Sequence, residues 1–299
     1  MKDIRTIIFR LTVTCLLAGL VMGGTFVVTN QAKQHNEEMK EHHVMLSLLG
    51  YSKAKPAPAN LAMHEIYRYI VSENNLPTTG YLLPLKGGEH ILLTMDLDGK
   101  FLKQLPVAIA HDKVKDLGER QKAIEKALGS GKTIRYADQT IVVTGDNKRL
   151  AYLLPGKFPG FKTFISAMVA LEPDFSIRGL EIMEHEEDPG LGGEIVRNYF
   201  KNQFIGKTFA ALKKLVVVKT PLPESYRAAL EAKPGGALSE AEIKQIEAQY
   251  KDSDIYALTG ATISSRSVTN GVKGIAKKFA LRLSILDRIL AEQRIGVAF

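Results

Sequence analysis

The longest apolar run lies close to the N-terminus. Leu11–Thr29, LTVTCLLAGLVMGGTFVVT, carries no charge, and at about 1.5 Å per helical residue it just spans a hydrocarbon core of about 30 Å. Lys2, Arg5 and Arg10 precede it, a bias that predicts a cytoplasmic N-terminus and an exported body. The run exceeds the roughly 7–15 apolar residues of a signal peptide and lacks an A-x-A-like site, so an uncleaved single-pass anchor is expected. Gln31–Leu49, polar then apolar, predicts a juxtamembrane helix, and SKAKPAPAN (Ser52–Asn60) a short linker. The remainder reads as one water-exposed body.

In that body the apolar period falls to two, and the pattern occurs twice. YLLP stands at Tyr81–Pro84 and again at Tyr152–Pro155. The runs His90–Asp112 and Thr163–Glu186 follow, each broken by a tight turn, DLDGK in one and EPDFS in the other, as hairpins require. Both end on a histidine and an acid, His111–Asp112 and His185–Glu186. Helix-like segments then run over Asp116–Thr133 and Gly190–Thr208, each ending in Gly-Lys-Thr. IVVTG (Ile141–Gly145) pairs in this scheme with IYALTG (Ile255–Gly260). The expectation is α+β: two similar halves, 61–150 and 151–299, of antiparallel sheet with helices on one face. An insertion at 220–252 supplies a Pro-Gly loop and a short charged helix, read as a solvated elaboration or partner contact.

Composition removes several chemistries. Net charge is +8 over 299 residues, but both signs are interspersed and no basic block carries interleaved aromatics, so no nucleic-acid partner is expected. The single cysteine, Cys15, sits in the apolar run, which excludes an intramolecular disulfide, a cysteine zinc site, an iron–sulfur cluster and a CxxCH haem. GSGKT is no phosphate loop: Lys126 stands where the first glycine is needed, and no apolar strand precedes it. His42 and His43 are adjacent and chelate poorly, His64, His90 and His111 lack companions, and His185 is read as shaping the loop it borders. Ser264, Ser265 and Ser267 have no nucleophile elbow, so no hydrolase or metal site is expected.

Two stretches remain. YALTGATISSRSVTNGV (Tyr256–Val272) is rich in hydroxyls and enters an amphipathic helix expected at Ser265–Gln293, its stripe built from Val268, Val272, Ile275, Phe279, Leu283, Leu286, Ile289 and Leu290. Ser264 or Ser265 is the expected N-cap. Thr259, Gly260, Ala261 and Thr262 then occupy the turn before the helix, where unpaired N–H groups and the positive end of the dipole suit a phosphate. In EHEEDPGLGGEI (Glu184–Ile195), Pro189, Gly190, Gly192 and Gly193 build a loop after a predicted strand. Such a loop can lay backbone against a flat ring.

Together these stretches resemble covalent FMN-binding domains: EHEEDPGLGGEI is similar to their H-x-E-T-P-G-L-G signature and LTGATISS to their S/T-G-A-T flavinylation motif. That family includes the G subunit of the Rnf electron-transport complex and the C subunit of the sodium-pumping NADH:quinone reductase; the EH dipeptide and TGATISSRSVTNGV favour the G type. The resemblance covers roughly Tyr152–Leu286 plus the anchor. It implies one FMN, phosphoester-linked to Thr262 by a separate flavin transferase. Thr259, Gly260, Ala261, Ser264 and Ser265 would shape the acceptor turn, and Glu187, Asp188, Pro189, Gly190, Leu191 and Gly192 the loop against the isoalloxazine. Two positions depart from the pattern: Tyr256, where aspartate is frequent, and Asp188, in place of threonine. A charge at Asp188 is expected to lower the flavin potential. The implied function is an inner-membrane electron-transfer subunit that acts with the other subunits of a ferredoxin–NAD complex moving sodium or protons. The alternatives are the C-type subunit of the quinone reductase and a non-catalytic exported module that has lost the flavin.

Overall fold

The computed structural model describes residues 2–74, 76–232 and 236–299. The chain divides into two units, the first ending at Ser52 and the second running from Lys53 to Phe299. The first unit is one helix, α1 (Lys2–Leu48). Within it Ile4–Val27 is long and apolar enough to cross a membrane. This span opens before the expected Leu11, so Arg5 and Arg10 lie in its first turns; the side chain of Lys2 lies outside the described residues. The juxtamembrane helix expected from Gln31 is the continuation of α1. From Gln31 onward no glycine or proline interrupts the chain until Gly50, which takes a φ of 84° just after the helix ends.

The second unit opens with β1 (Ala62–Glu73), β2 (Leu76–Pro84), β3 (His90–Met95) and β4 (Phe101–Val107), followed by α2 (Leu117–Leu128). Next come β5 (Lys132–Gly145), β6 (Lys148–Pro159), β7 (Phe164–Leu171) and β8 (Ile177–Glu184). Helical turns at Gly192–Val196 and Asn202–Phe204 flank α3 (Asn198–Lys201). Then follow α4 (Phe209–Lys214), β9 (Val217–Val218), α5 (Glu224–Leu230), α6 (Glu240–Tyr250), β10 (Ile255–Tyr256) and α7 (Thr262–Glu292).

Eight strands make one antiparallel sheet in the order β4-β3-β2-β1-β5-β6-β7-β8. It consists of two consecutive four-stranded meanders whose first strands, β1 and β5, pair with each other. Both YLLP stretches lie in the second strand of a meander, and both predicted turns join the third strand to the fourth. In each turn the fourth residue is left-handed: Gly99 at φ 79° in one, Phe175 at φ 65° in the other. Phe175 stacks on Tyr152 at 5.9 Å and packs against Phe279 at 6.0 Å, so aromatic contacts offset the strain that glycine avoids.

Several expectations are corrected. The boundary at 150 falls inside β6, because β5 belongs to the second meander and pairs across to the first. Ile141–Gly145 lies in β5, whereas Ile255–Tyr256 pairs in parallel with Val217–Val218 in a separate two-stranded sheet, so the two stretches are not counterparts. Gly190–Thr208 is no single helix, since Arg197 is extended at φ −74°, ψ 146° between two short turns. Helices cover both faces of the sheet. On one face Tyr67, Tyr69, Leu82 and Leu92 pack with Ile124 and Leu128 of α2. On the other Ile66, Tyr81, Leu83 and Leu93 share a core with Val272, Phe279, Leu283 and Leu286 of α7. Alternation along the strands, interrupted at bulges, produces the two layers.

The 220–252 segment contains two helices, not one. It packs on the body: Tyr226 and Leu230 are buried, Tyr226 stacks on Tyr250 at 4.3 Å, and Asn202 donates to the Leu230 carbonyl. The buried Lys207 ammonium, the lysine of the second Gly-Lys-Thr, donates to the carbonyls of Lys251 (3.1 Å) and Ser253 (2.6 Å); burial lowers its pKa. The expected Pro-Gly loop, at 233–235, lies outside the described residues.

Helix α7 crosses the second meander closely because Gly271 has no side chain. A Cβ there would lie 2.4 Å from two ring carbons of the buried Phe158. Alanine would favour the helix by about 1 kcal/mol, but displacing a packed ring costs about 1–3 kcal/mol. The clash should win: Gly271→Ala is expected to lower stability by about 1–2 kcal/mol in chemical denaturation, and a stabilised variant would contradict this packing.

Candidate functional site

The two motifs meet. After β8 the chain runs extended through His185, whose Nδ1 accepts from the Glu187 N–H at 3.2 Å. It then turns through Pro189 and Gly190, the latter at φ 73°. The Asp188 carbonyl accepts from the N–H groups of Leu191 (3.1 Å) and Gly193 (2.8 Å), which curls the loop back on itself. On the other side β10 is held by Gln203, which accepts from the Tyr256 N–H at 2.8 Å and donates to its carbonyl at 3.3 Å. Asp254 accepts from the Val216 N–H at 3.1 Å. Gly260 turns the chain at φ 75°, and a Cβ there would press on Leu191 of the facing loop at 2.9 Å.

Glu187 joins these segments. It is 4% exposed, and its carboxylate accepts from the backbone N–H of Phe161 (2.7 Å) and of Lys162 (3.3 Å) at the β6–β7 turn. It also accepts from the Ser264 hydroxyl of α7. Backbone space is reserved for it: a Cβ on Gly160 would lie 2.4 Å from one carboxylate oxygen and a Cβ on Gly192 2.6 Å from the other. The charge at Asp188 is paired with Lys162, and that pairing raises the lysine pKa.

The start of α7 differs from expectation. Its N-cap is Ala261, which offers no side-chain bond, and Thr262 is the first helical residue. Neither serine caps the helix. Ser265 instead reaches back, accepting from the Leu258 N–H at 3.0 Å and donating to the Ala261 carbonyl at 2.9 Å, so it shapes the turn from inside. The first turn contains no acidic residue. Its leading N–H groups therefore face neither a capping side chain nor a carboxylate of their own turn.

A cavity of about 290 Å³ lies between loop and helix, lined by Phe161, Glu187, Asp188, Leu191, Gly192, Gly260, Ala261, Thr262, Ile263 and Ser264. Of the residues singled out from sequence, Thr259, Pro189, Gly190 and Ser265 do not line it and act as its frame. Phe161, Lys162 and Ile263 were not anticipated. No local motif marks Phe161 or Lys162, because a hairpin 25–26 residues before Glu187 brings them in. Phe161, Leu191 and Ile263 are 59%, 47% and 55% exposed, giving the cavity an apolar rim. The lining thus combines the hydroxyls of Thr262 and Ser264, glycine backbone and an apolar rim.

Residues 160–277 match the family model described as FMN-binding domain. The chain is 32% identical over 144 residues to the G subunit of the proton-translocating ferredoxin:NAD(+) oxidoreductase complex of Clostridium ljungdahlii, covering 48% of this chain and 58% of that protein. It is 26% identical over 199 residues to the C subunit of the Na(+)-translocating NADH-quinone reductase of Yersinia pestis, covering 65% of this chain and 67% of that protein. The crystal structure of Shewanella oneidensis NqrC aligns at a TM-score of 0.35 and 22% identity over 58% of this chain and 72% of that one. Residues 160–277 are thus similar to FMN-binding domains, and both of these relatives are subunits of ion-translocating oxidoreductases.

Replacing Glu187 tests the architecture. Glu187→Ala leaves buried N–H donors without an acceptor and is expected to cost about 2–4 kcal/mol, at about 1–3 kcal/mol per unsatisfied group. Glu187→Gln, which keeps one acceptor oxygen, should cost less. Chemical denaturation of the two variants measures both, and a neutral alanine variant would contradict the bridging role.

Proposed function

We propose that this chain is the membrane-anchored flavoprotein subunit of an ion-translocating electron-transport complex of the ferredoxin–NAD type. Its FMN is phosphoester-linked to Thr262. One observation carries the reading: within the segment matching the FMN-binding domain, the PGLG loop and the Thr262 turn converge on one cavity. The FMN, when bound, supplies the redox chemistry.

The chain supplies attachment, orientation and access. Thr262 offers its hydroxyl at the first position of a long helix, where the N–H groups of the first turn and the helix dipole stabilise phosphate oxygens. Gly192 and Gly260 keep the loop and the turn close together at the cavity wall, and Phe161, Leu191 and Ile263 give the ring an apolar border. Covalent attachment by a flavin transferase prevents loss of the cofactor on the outer side of the membrane. The anchor within α1 would hold the body there with the N-terminus inside, beside the other subunits of the complex. The second reading, the C-type subunit of a quinone reductase, is favoured by the longer match to the Yersinia pestis protein.

The test is co-expression with a flavin transferase, followed by in-gel fluorescence and intact mass. The wild-type chain should carry one FMN through denaturation, Thr262→Ser should retain it and Thr262→Ala should lose it. A fluorescent Thr262→Ala band would refute the site, and a wild-type chain weighing no more than its amino acids would refute the function. On flavin-loaded protein, Lys162→Gln leaves Asp188 unpaired and should lower the midpoint potential in a redox titration. Asp188→Asn in the same chain should restore it; an unmoved potential would place the pair outside the flavin's field.

A further inference from the structure

A second cavity, of about 540 Å³, lies where α7 crosses the seam between the two meanders, and none of its lining residues lines the flavin cavity. It begins at Ile275, about 20 Å along α7 from Thr262 at 1.5 Å per residue. Its volume falls within the roughly 300–1,000 Å³ usual for small-molecule sites.

The walls are of two kinds. Ile66, Leu154, Phe279, Leu283 and Leu286 form a buried apolar surface. Against it stand Arg68, Lys157, Lys278 and Arg282, four cations facing one lining carboxylate, Asp138. Asp138 is shared: Arg68 donates to it through Nε at 2.9 Å, and Arg282 through a terminal nitrogen at 2.9 Å. Both guanidinium heads are thereby fixed at the cavity, and one carboxylate cannot neutralise both.

The seam itself makes the opening. Between β1 and β5 the register runs Arg68↔Asp138 and then Tyr69↔Tyr136, so Ala137 is an extra residue and the strand bulges. Bulges of this kind re-aim side chains and occur beside functional sites. The Tyr81 hydroxyl lies within the electrostatic reach of both arginines, and burial raises its pKa, leaving a neutral donor on the apolar wall.

We infer that this cavity is a second ligand site, for a small soluble amphiphilic anion. Its phosphate or carboxylate sits at the cationic mouth, and its apolar, ring-sized body lies against Leu154, Phe279 and Leu283. An acid head without the body forfeits the apolar wall, and the body without the acid forfeits the cations; the site demands both.

The probe is 1-naphthyl phosphate, followed by fluorescence anisotropy on the full-length chain in detergent, with 1-naphthol and inorganic phosphate as the separated halves. Lys157 and Lys278 are exposed, so the double variant Lys157→Gln/Lys278→Gln should keep the fold. Saturable binding of one probe per chain is expected, about tenfold tighter than either half and about tenfold weaker in the double variant, each factor being about 1.4 kcal/mol. Absence of saturable binding overturns the inference. Equal affinity for 1-naphthol, or an affinity unchanged in the double variant, does so as well, the latter by placing the probe in the flavin cavity.

Discussion

Everything around the cavity at the start of α7 depends on one buried carboxylate. Glu187 bonds to two backbone N–H groups of a distant hairpin and to a hydroxyl of the helix that carries Thr262. Taking an ionised group out of water costs several kcal/mol unless hydrogen bonds replace its hydration. Glu187 therefore stays buried only while two separate segments, the hairpin and the helix start, hold their donors on it. Among the described residues no ammonium or guanidinium bonds directly to the carboxylate, and that makes it selective: backbone donors cannot swing after it as a lysine would. Hairpin, loop and helix start are locked into one geometry, and the cavity is what remains between them.

That geometry also explains why so many small residues gather here. Gly160 and Gly192 give up Cβ positions that the carboxylate needs, and Gly260 gives up one that Leu191 needs. Ser264 and Ser265 both turn inward, one toward Glu187 and the other back into the turn before the helix. Neither caps the helix, so Thr262 stands at its first position with uncapped N–H groups behind it. A sequence that used its serines as ordinary caps would have spent those donors internally. The proposed phosphoester needs them outward.

Much of this was legible from residues alone, for identifiable reasons. The long apolar N-terminal helix, the hairpins around DLDGK and EPDFS, and the helix stripe from Val268 to Leu290 rest on local periodicity, which sequence records directly. The two motifs of the site are local as well. What sequence concealed was non-local. The second meander begins with β5, before residue 150, and β6 runs through that position, so a boundary at 150 looked natural while cutting a strand. Phe161 and Lys162 carry no signature, because their role is to present N–H groups from a turn. Lys162 also changes the meaning of Asp188, an unbalanced charge in the sequence and half of an ion pair in the fold. The Asp146–Asn147 turn joining β5 to β6 takes positive φ at both residues, as a two-residue hairpin prefers.

Helix α7 reconciles a permissive site with a stable fold. The site end is glycine, serine and threonine, which contribute little apolar burial and, in the glycines, considerable chain entropy. Stability must come from further along the same rod, where Val268, Val272, Ala276, Leu283, Leu286, Ile289 and Leu290 are buried in one core shared by both meanders. Burying such a side chain is worth roughly 1.5–3 kcal/mol each, far more than any cap at the first turn. The helix is fixed by its body, which frees its first residues from structural duty. The same fixation explains the seam: a rod pinned on both meanders bridges the bulge between β1 and β5 instead of collapsing into it. The space beneath is left to the arginines that share Asp138.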